Sequence, residues 1–116
     1  MRFKKNLQSY RFAIKGIRYL IRFENNFRIQ LICAFLVIAI GIIYQIPILA
    51  WTVFIVLIGV VLMAEAFNTA LEKLADKIEP GYDKEIGAIK DIAAGAVLLI
   101  SAAALIAGLL ILFNFQ

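Results

Sequence analysis

Histidine is absent from this 116-residue chain, cysteine occurs once (Cys33), and proline only twice (Pro47 and Pro80). Without an imidazole there is no proton shuttle poised near neutral pH, no His zinc ligand and no base for a Ser-His-Asp triad. One cysteine cannot close a disulfide within the chain. Charge is scarce as well: 17% of residues are Asp, Glu, Lys or Arg while 64% are hydrophobic, against roughly 25% charged in an average soluble domain. A particle this small has too much surface to hide nearly continuous apolar runs, so a bilayer is the expected solvent.

The charges that remain are segregated. Arg2, Lys4, Lys5, Arg11, Lys15, Arg18, Arg22 and Arg28 precede the first apolar run, with Glu24 the sole acid among them. The other cations, Lys73, Lys77, Lys84 and Lys90, share a polar stretch with Glu65, Glu72, Asp76, Glu79, Asp83, Glu85 and Asp91. Three runs close to the ~20 residues that cross a hydrocarbon core predict three transmembrane helices at 29–46, 49–71 and 92–115. Between the first two lies only an uncharged link with Pro47, suited to a tight hairpin with Trp51 near the headgroups. Every Lys and Arg falls on the other side. The positive-inside rule therefore predicts a cytoplasmic N-terminus, a cytoplasmic loop over 73–91 and an external Gln116 end.

Residues 1–28 predict an amphipathic surface helix rather than a cleaved signal peptide, since the basic region is long and no small-residue cleavage pattern follows the apolar run. Phe3, Leu7, Tyr10, Ile14, Ile17 and Ile21 recur at spacings of four and three, with Lys4, Arg11, Lys15, Arg18 and Arg22 on one flank. Snorkelling cations on an anionic leaflet account for this basic charge, so nucleic acid is not an expected partner. The fold class expected is an all-α integral membrane protein: one interfacial helix and three spans in a single domain.

Glu65 is the first charged residue after the run Leu49 to Ala64, on a helix still partly in the membrane. Burying a carboxylate there costs several kcal/mol unless something compensates, which marks it as a functional candidate. Glu65, Asn68, Glu72 and Asp76 are spaced three, four and four. They stack on one helix face running about 16 Å out of the membrane. Such oxygens are hard ligands of the kind magnesium accepts alongside phosphate oxygens and water. Glu72 and Asp76 also fit a solvated stripe pairing with Lys73 or Lys77; a salt bridge would account for Glu24. Lys90 and Asp91 fit a snorkelling lysine beside a helix-start carboxylate. A polar pair such as Glu65 and Asn68, set among Met63, Ala64, Ala66 and Phe67, gains nothing by solvation alone.

The pattern Glu65-Ala66-Phe67-Asn68-Thr69-Ala70-Leu71-Glu72, then Asp76, then Lys90-Asp91-Ile92-Ala93-Ala94-Gly95-Ala96-Val97, resembles the prokaryotic diacylglycerol kinase family. The resemblance extends to Lys15-Gly16 and to Glu24 with Phe27-Arg28, and so covers essentially the whole chain. It implies a small lipid kinase of the bacterial inner membrane, a homotrimer with sites shared between neighbours at the cytoplasmic face. ATP would be the phosphoryl donor and Mg2+ the metal. By this resemblance Glu65 is the catalytic base and Glu24 and Glu72 bind metal. Asn68, Asp76, Lys90 and Asp91 then surround nucleotide and phosphates, while Lys15, Phe27 and Arg28 face lipid or the interface. Two family branches act on diacylglycerol and on undecaprenol, and the stretches Glu24 to Ile29 and Asp91 to Val97 look more like the undecaprenol branch. Members often carry histidines where this chain has Gln30 and the loop Gly81-Tyr82-Asp83-Lys84. No P-loop or protein-kinase signature occurs, so any ATP site is of this other type. A small transporter or assembly subunit is the alternative from another class, but it has no use for five polar groups gathered at the membrane edge.

Overall fold

The computed structural model describes residues 2–114, with side chains described from residue 6 onward. It is all-helical: α1 (Arg2–Phe23), α2 (Asn25–Ile43), α3 (Ile48–Ile78) and α4 (Lys84–Asn114). The last three are long and apolar enough to cross a membrane. The amphipathic α1 leaves Leu7, Tyr10, Ile14 and Ile17 exposed along its length. The expected all-α membrane architecture is therefore the one observed. Residue 115, the expected end of the third span, and Gln116 lie outside the described residues, as do the side chains of Phe3, Lys4 and Lys5 in the amphipathic pattern.

The element boundaries differ from the sequence expectations in instructive ways. The chain leaves helix at Glu24, with extended dihedrals (φ −110°, ψ 109°), and not at residue 28. The Arg28 guanidinium reaches back to the Arg22 carbonyl at 3.1 Å and to the Asn25 side chain. It thus satisfies an orphan carbonyl of the last turn of α1 and ties the two helices across the break. α2 ends at Ile43 rather than 46, in a turn where Gln45 takes a left-handed φ of 51°. The stretch 73–91, read as a loop, is mostly helix: α3 runs on to Ile78 and α4 begins at Lys84. Alternating charges do not end a helix; Pro80 and Gly81 do. The Asp83 carboxylate then accepts the Ile86 amide at 3.0 Å and caps α4.

Packing is thin, as expected of helices solvated by lipid. The chain measures 50 × 44 × 22 Å, so it is about two helix diameters deep. Among the described residues no side chain is less than 2% exposed, and α4 buries none of its residues. The small core lies at the hairpin, where Ile46, Ala50 and Phe54 pack with Val37, Trp51, Ile111 and Leu112. α3 and α4, 31 residues each, are about 46 Å long against a ~30 Å hydrocarbon core. Their surplus emerges at the end away from the hairpin, and the polar residues are there.

Candidate functional site

The polar end of α3 buries three groups that lipid or water would otherwise meet: Glu65 is 4% exposed, Asn68 7% and Thr69 5%. The helical spacing lines Glu65 up with Asn68, Glu72 and Asp76, as expected. Asn68 Nδ2 donates to Glu72 Oε1 at 3.2 Å. Its Oδ1 is buried with no hydrogen-bond partner. An unsatisfied buried carbonyl oxygen costs about 1–3 kcal/mol, and an unfilled ligand position is one reason for a protein to keep one.

Two other elements converge on this line. Glu24, at the α1–α2 break, and Glu72 both lie within Coulombic reach of Glu65. From α4, Lys90 Nζ meets Asp76 Oδ1 at 2.6 Å, with the two side chains 36% and 61% exposed. That bond holds the Lys90 ammonium above its ordinary lysine value, and Glu72 adds to the effect. Lys73, on the emergent part of α3, sits 4.7 Å from the centre of the Tyr19 ring. The Tyr19 side chain holds the Lys73 ammonium above its ordinary lysine value, and Glu24 and Asp76 reinforce it. Tyr19 and Lys73 thus dock the end of α1 on α3, which carries Glu24 to the carboxylates. Lys73 is expected from the sequence only as a surface partner of Glu72 or Asp76, and Tyr19 has no expected role; in the structure Asp76 pairs with Lys90 and Lys73 turns to Tyr19. Thr69, part of the Glu65 to Glu72 motif, has no expected role there, although its step of four from Glu65 puts it on the same face.

The remaining candidates lie farther out. Asp91 follows Lys90 by one residue, about 100° round the helix, and is exposed. Phe27 is buried at 5% exposure, a packing residue beneath the break. Arg28 is exposed and serves the break itself. Lys15 lines a shallow surface depression of α1 with Gln8, Arg11, Phe12, Ile14 and Arg18.

No group of three or more His, Cys, Asp or Glu side chains among the described residues forms a ready-made metal site. Glu24, Glu72 and the unsatisfied Asn68 oxygen are nonetheless an all-oxygen donor set. That is the chemistry Mg2+ accepts when phosphate oxygens and water complete its octahedron, so the residues fit that ion.

Comparison with known proteins bears on what such a site does. The family model described as prokaryotic diacylglycerol kinase matches residues 11–112. An undecaprenol kinase from Bacillus subtilis is 35% identical over 104 residues, 90% of this chain and 85% of its own length. A diacylglycerol kinase from Synechocystis is 35% identical over 103 residues, 88% of this chain and 59% of the relative.

Proposed function

The chain belongs to the prokaryotic diacylglycerol kinase family and is a lipid kinase embedded in the membrane; on that premise we propose that its acceptor is undecaprenol, with Glu65 as the base. The observation that carries the reading is the burial of Glu65 at the membrane end of a carboxylate line. A lipid hydroxyl held at the interface can reach a group there, whereas a fully solvated carboxylate would be out of its reach. The undecaprenol kinase relative, matched over most of its length, supports the choice of acceptor. Diacylglycerol is the second acceptor, supported by the name of the Synechocystis relative.

In this reading Glu65 takes the proton of the lipid hydroxyl as that oxygen attacks the ATP γ-phosphorus. The bond to the ADP oxygen breaks, ADP departs, and Glu65 returns the proton to water. Such transfers need positioning and charge neutralisation more than covalent help. Lys90, held by Asp76, supplies a fixed cation to the phosphates, and Asn68 keeps Glu72 in place. Glu24 and Glu72 would hold Mg2+, which when bound neutralises charge on the phosphates. Asp91 faces solvent at the outer edge, where it suits contact with the nucleotide rather than with lipid. Lys15 and its neighbours on α1 rest on the anionic leaflet.

The three long helices of one chain are too few to enclose both a nucleotide and a lipid. A homotrimer in the inner membrane would supply the missing walls, with the N-terminus and the site on the cytoplasmic face. The test uses purified protein in lipid bicelles with Mg-ATP and either undecaprenol or diacylglycerol, following phosphate into lipid, with Glu65→Gln in parallel. Phosphorylation of undecaprenol over diacylglycerol, lost in Glu65→Gln, is the expected result. Preference for diacylglycerol would overturn the acceptor, and full activity in Glu65→Gln would overturn the base.

A further inference from the structure

A cavity of about 420 Å³ opens between α2, α3 and α4 inside the membrane-spanning region, within the ~300–1,000 Å³ usual for ligand sites. Its α3 wall is formed by Phe54, Leu57, Ile58, Val61 and Leu62. Phe54, Ile58 and Val61 step by four and three into Glu65, so the wall continues straight onto the carboxylate face. The trough and the proposed base thus share one helix face, about 16 Å from Phe54 to Glu65.

The lining is apolar save for Gln30, Cys33 and Ser101, and helix register places Gln30 and Ser101 at the end nearest Glu65. Lys90 of α4 touches Asp76 of α3. Glu65 lies eleven residues before Asp76, and Ser101 eleven after Lys90, so on antiparallel neighbours both sit at one depth. Across the hairpin a Cβ on Gly41 would touch Trp51. Gln30 lies eleven residues before Gly41, and Leu62 eleven after Trp51, so Gln30 is level with Leu62, one turn from Glu65. The Ser101 hydroxyl is buried without a hydrogen-bond partner. It is the only hydroxyl in the α4 run from Ile92 to Phe113. Apolar packing alone does not explain a hydroxyl left unsatisfied there.

We propose that this cavity seats the hydrocarbon chain of a long-chain lipid alcohol, and that Ser101 and Gln30 hydrogen-bond its hydroxyl-bearing end beside Glu65. The inference rests on the lipid-kinase reading for its chemistry and adds the residues that hold the acceptor. Ser101 O–H and the Gln30 amide share one lone pair of the alcohol oxygen, leaving the other free to attack phosphorus and the alcohol proton directed at Glu65. Both are acceptor-binding residues, acting on the lipid hydroxyl and not on the nucleotide.

The test has a kinetic arm and a binding arm. In bicelles with Mg-ATP and undecaprenol, Ser101→Ala should raise the KM for lipid about three- to tenfold, the worth of one hydrogen bond. The KM for ATP should not move, and Ser101→Thr should restore most of the loss. The binding arm uses Cys33, the sole cysteine, which lines the cavity and is exposed. Undecaprenol should slow its labelling by a membrane-permeant maleimide in the Glu65→Gln protein, and should not do so in Glu65→Gln carrying Ser101→Leu, whose bulk fills the mouth. Lipid-dependent protection without phosphoryl transfer in the unsubstituted protein would keep the cavity and overturn the kinase reading of the site. Phosphoryl transfer with no protection of Cys33, or with an unchanged lipid KM in Ser101→Ala, would overturn the cavity. Cys33 unreactive before any alcohol is added would do the same, since another helix would then fill the space.

Discussion

At position 68 an amide does what neither a carboxylate nor an alkyl chain would. Its Nδ2 holds Glu72 while its Oδ1 stays free in a buried setting; an aspartate would set a second negative charge against Glu72 instead. Partners that orient metal-binding carboxylates typically matter by about 10–100-fold in metal affinity. Asn68→Ala is therefore expected to raise the Mg2+ concentration for half-maximal rate by about that factor, with helicity by circular dichroism unchanged. A magnesium titration of phosphoryl transfer checks it, and an unaltered midpoint would remove Asn68 from the metal environment. Lys90 makes a pH prediction. Its folded-state value is raised, chiefly by the hydrogen bond to Asp76. The pairing thus favours the folded arrangement fully below the ordinary lysine range and loses that support only as pH climbs through the raised value. Asp76→Asn removes the cause, so the alkaline limb of the pH–rate profile should move to lower pH. A limb that stays in place would mean that Lys90 does not govern it.

Among the elements, the apolar runs were legible because a bilayer imposes a length and excludes charge, and both are written in the sequence. The carboxylate line was legible for a related reason, since Glu65, Asn68, Glu72 and Asp76 lie on one helix and helical period alone aligns them. The break at Glu24 was not, because no proline or glycine marks it; a side chain four residues on, Arg28, holds it. Beyond Asp76 the helical parts of the 73–91 loop are not legible, because charge suggests exposure and exposure suggests loop, yet a helix leaving a membrane is exposed and charged while still helical. The hairpin offers an element-scale test. A Cβ on Gly41 would stand 2.8 Å from the Trp51 ring and 3.0 Å from Ile46 Cδ1, a contact that forces one of them to move. Gly41→Ala should cost about 1–3 kcal/mol, the range for overpacking. Pairing it with Trp51→Leu should recover part of that loss, a non-additivity expected of touching residues. Unfolding of the helical signal by SDS titration measures both, and strict additivity would argue against the contact.

For the molecule as a whole, the organising fact is that charge and length are asymmetric in the same direction. The α2–α3 hairpin carries no charged residue between Arg28 and Glu65, while the surplus length of α3 and α4, the break at Glu24 and the cations of α1 all gather at the other end. Convergence of Glu24 on Glu65 joins residues forty-one apart in sequence, a contact that helical periodicity does not encode. It depends on α1 turning at Glu24 and docking through Tyr19 and Lys73. The same asymmetry fixes how the protein should sit in a cell, because cations resist translocation and the hairpin has none. In a Cys33→Ser background, a cysteine in place of Tyr82, 92% exposed in the link between α3 and α4, should react with a membrane-impermeant maleimide only once the cytoplasmic face is opened. A cysteine in place of Gln45, in the hairpin turn, should react in intact, outer-membrane-permeabilised cells or in protoplasts. The reverse pattern would put the carboxylates on the side without ATP, and a lipid kinase built this way could not work there.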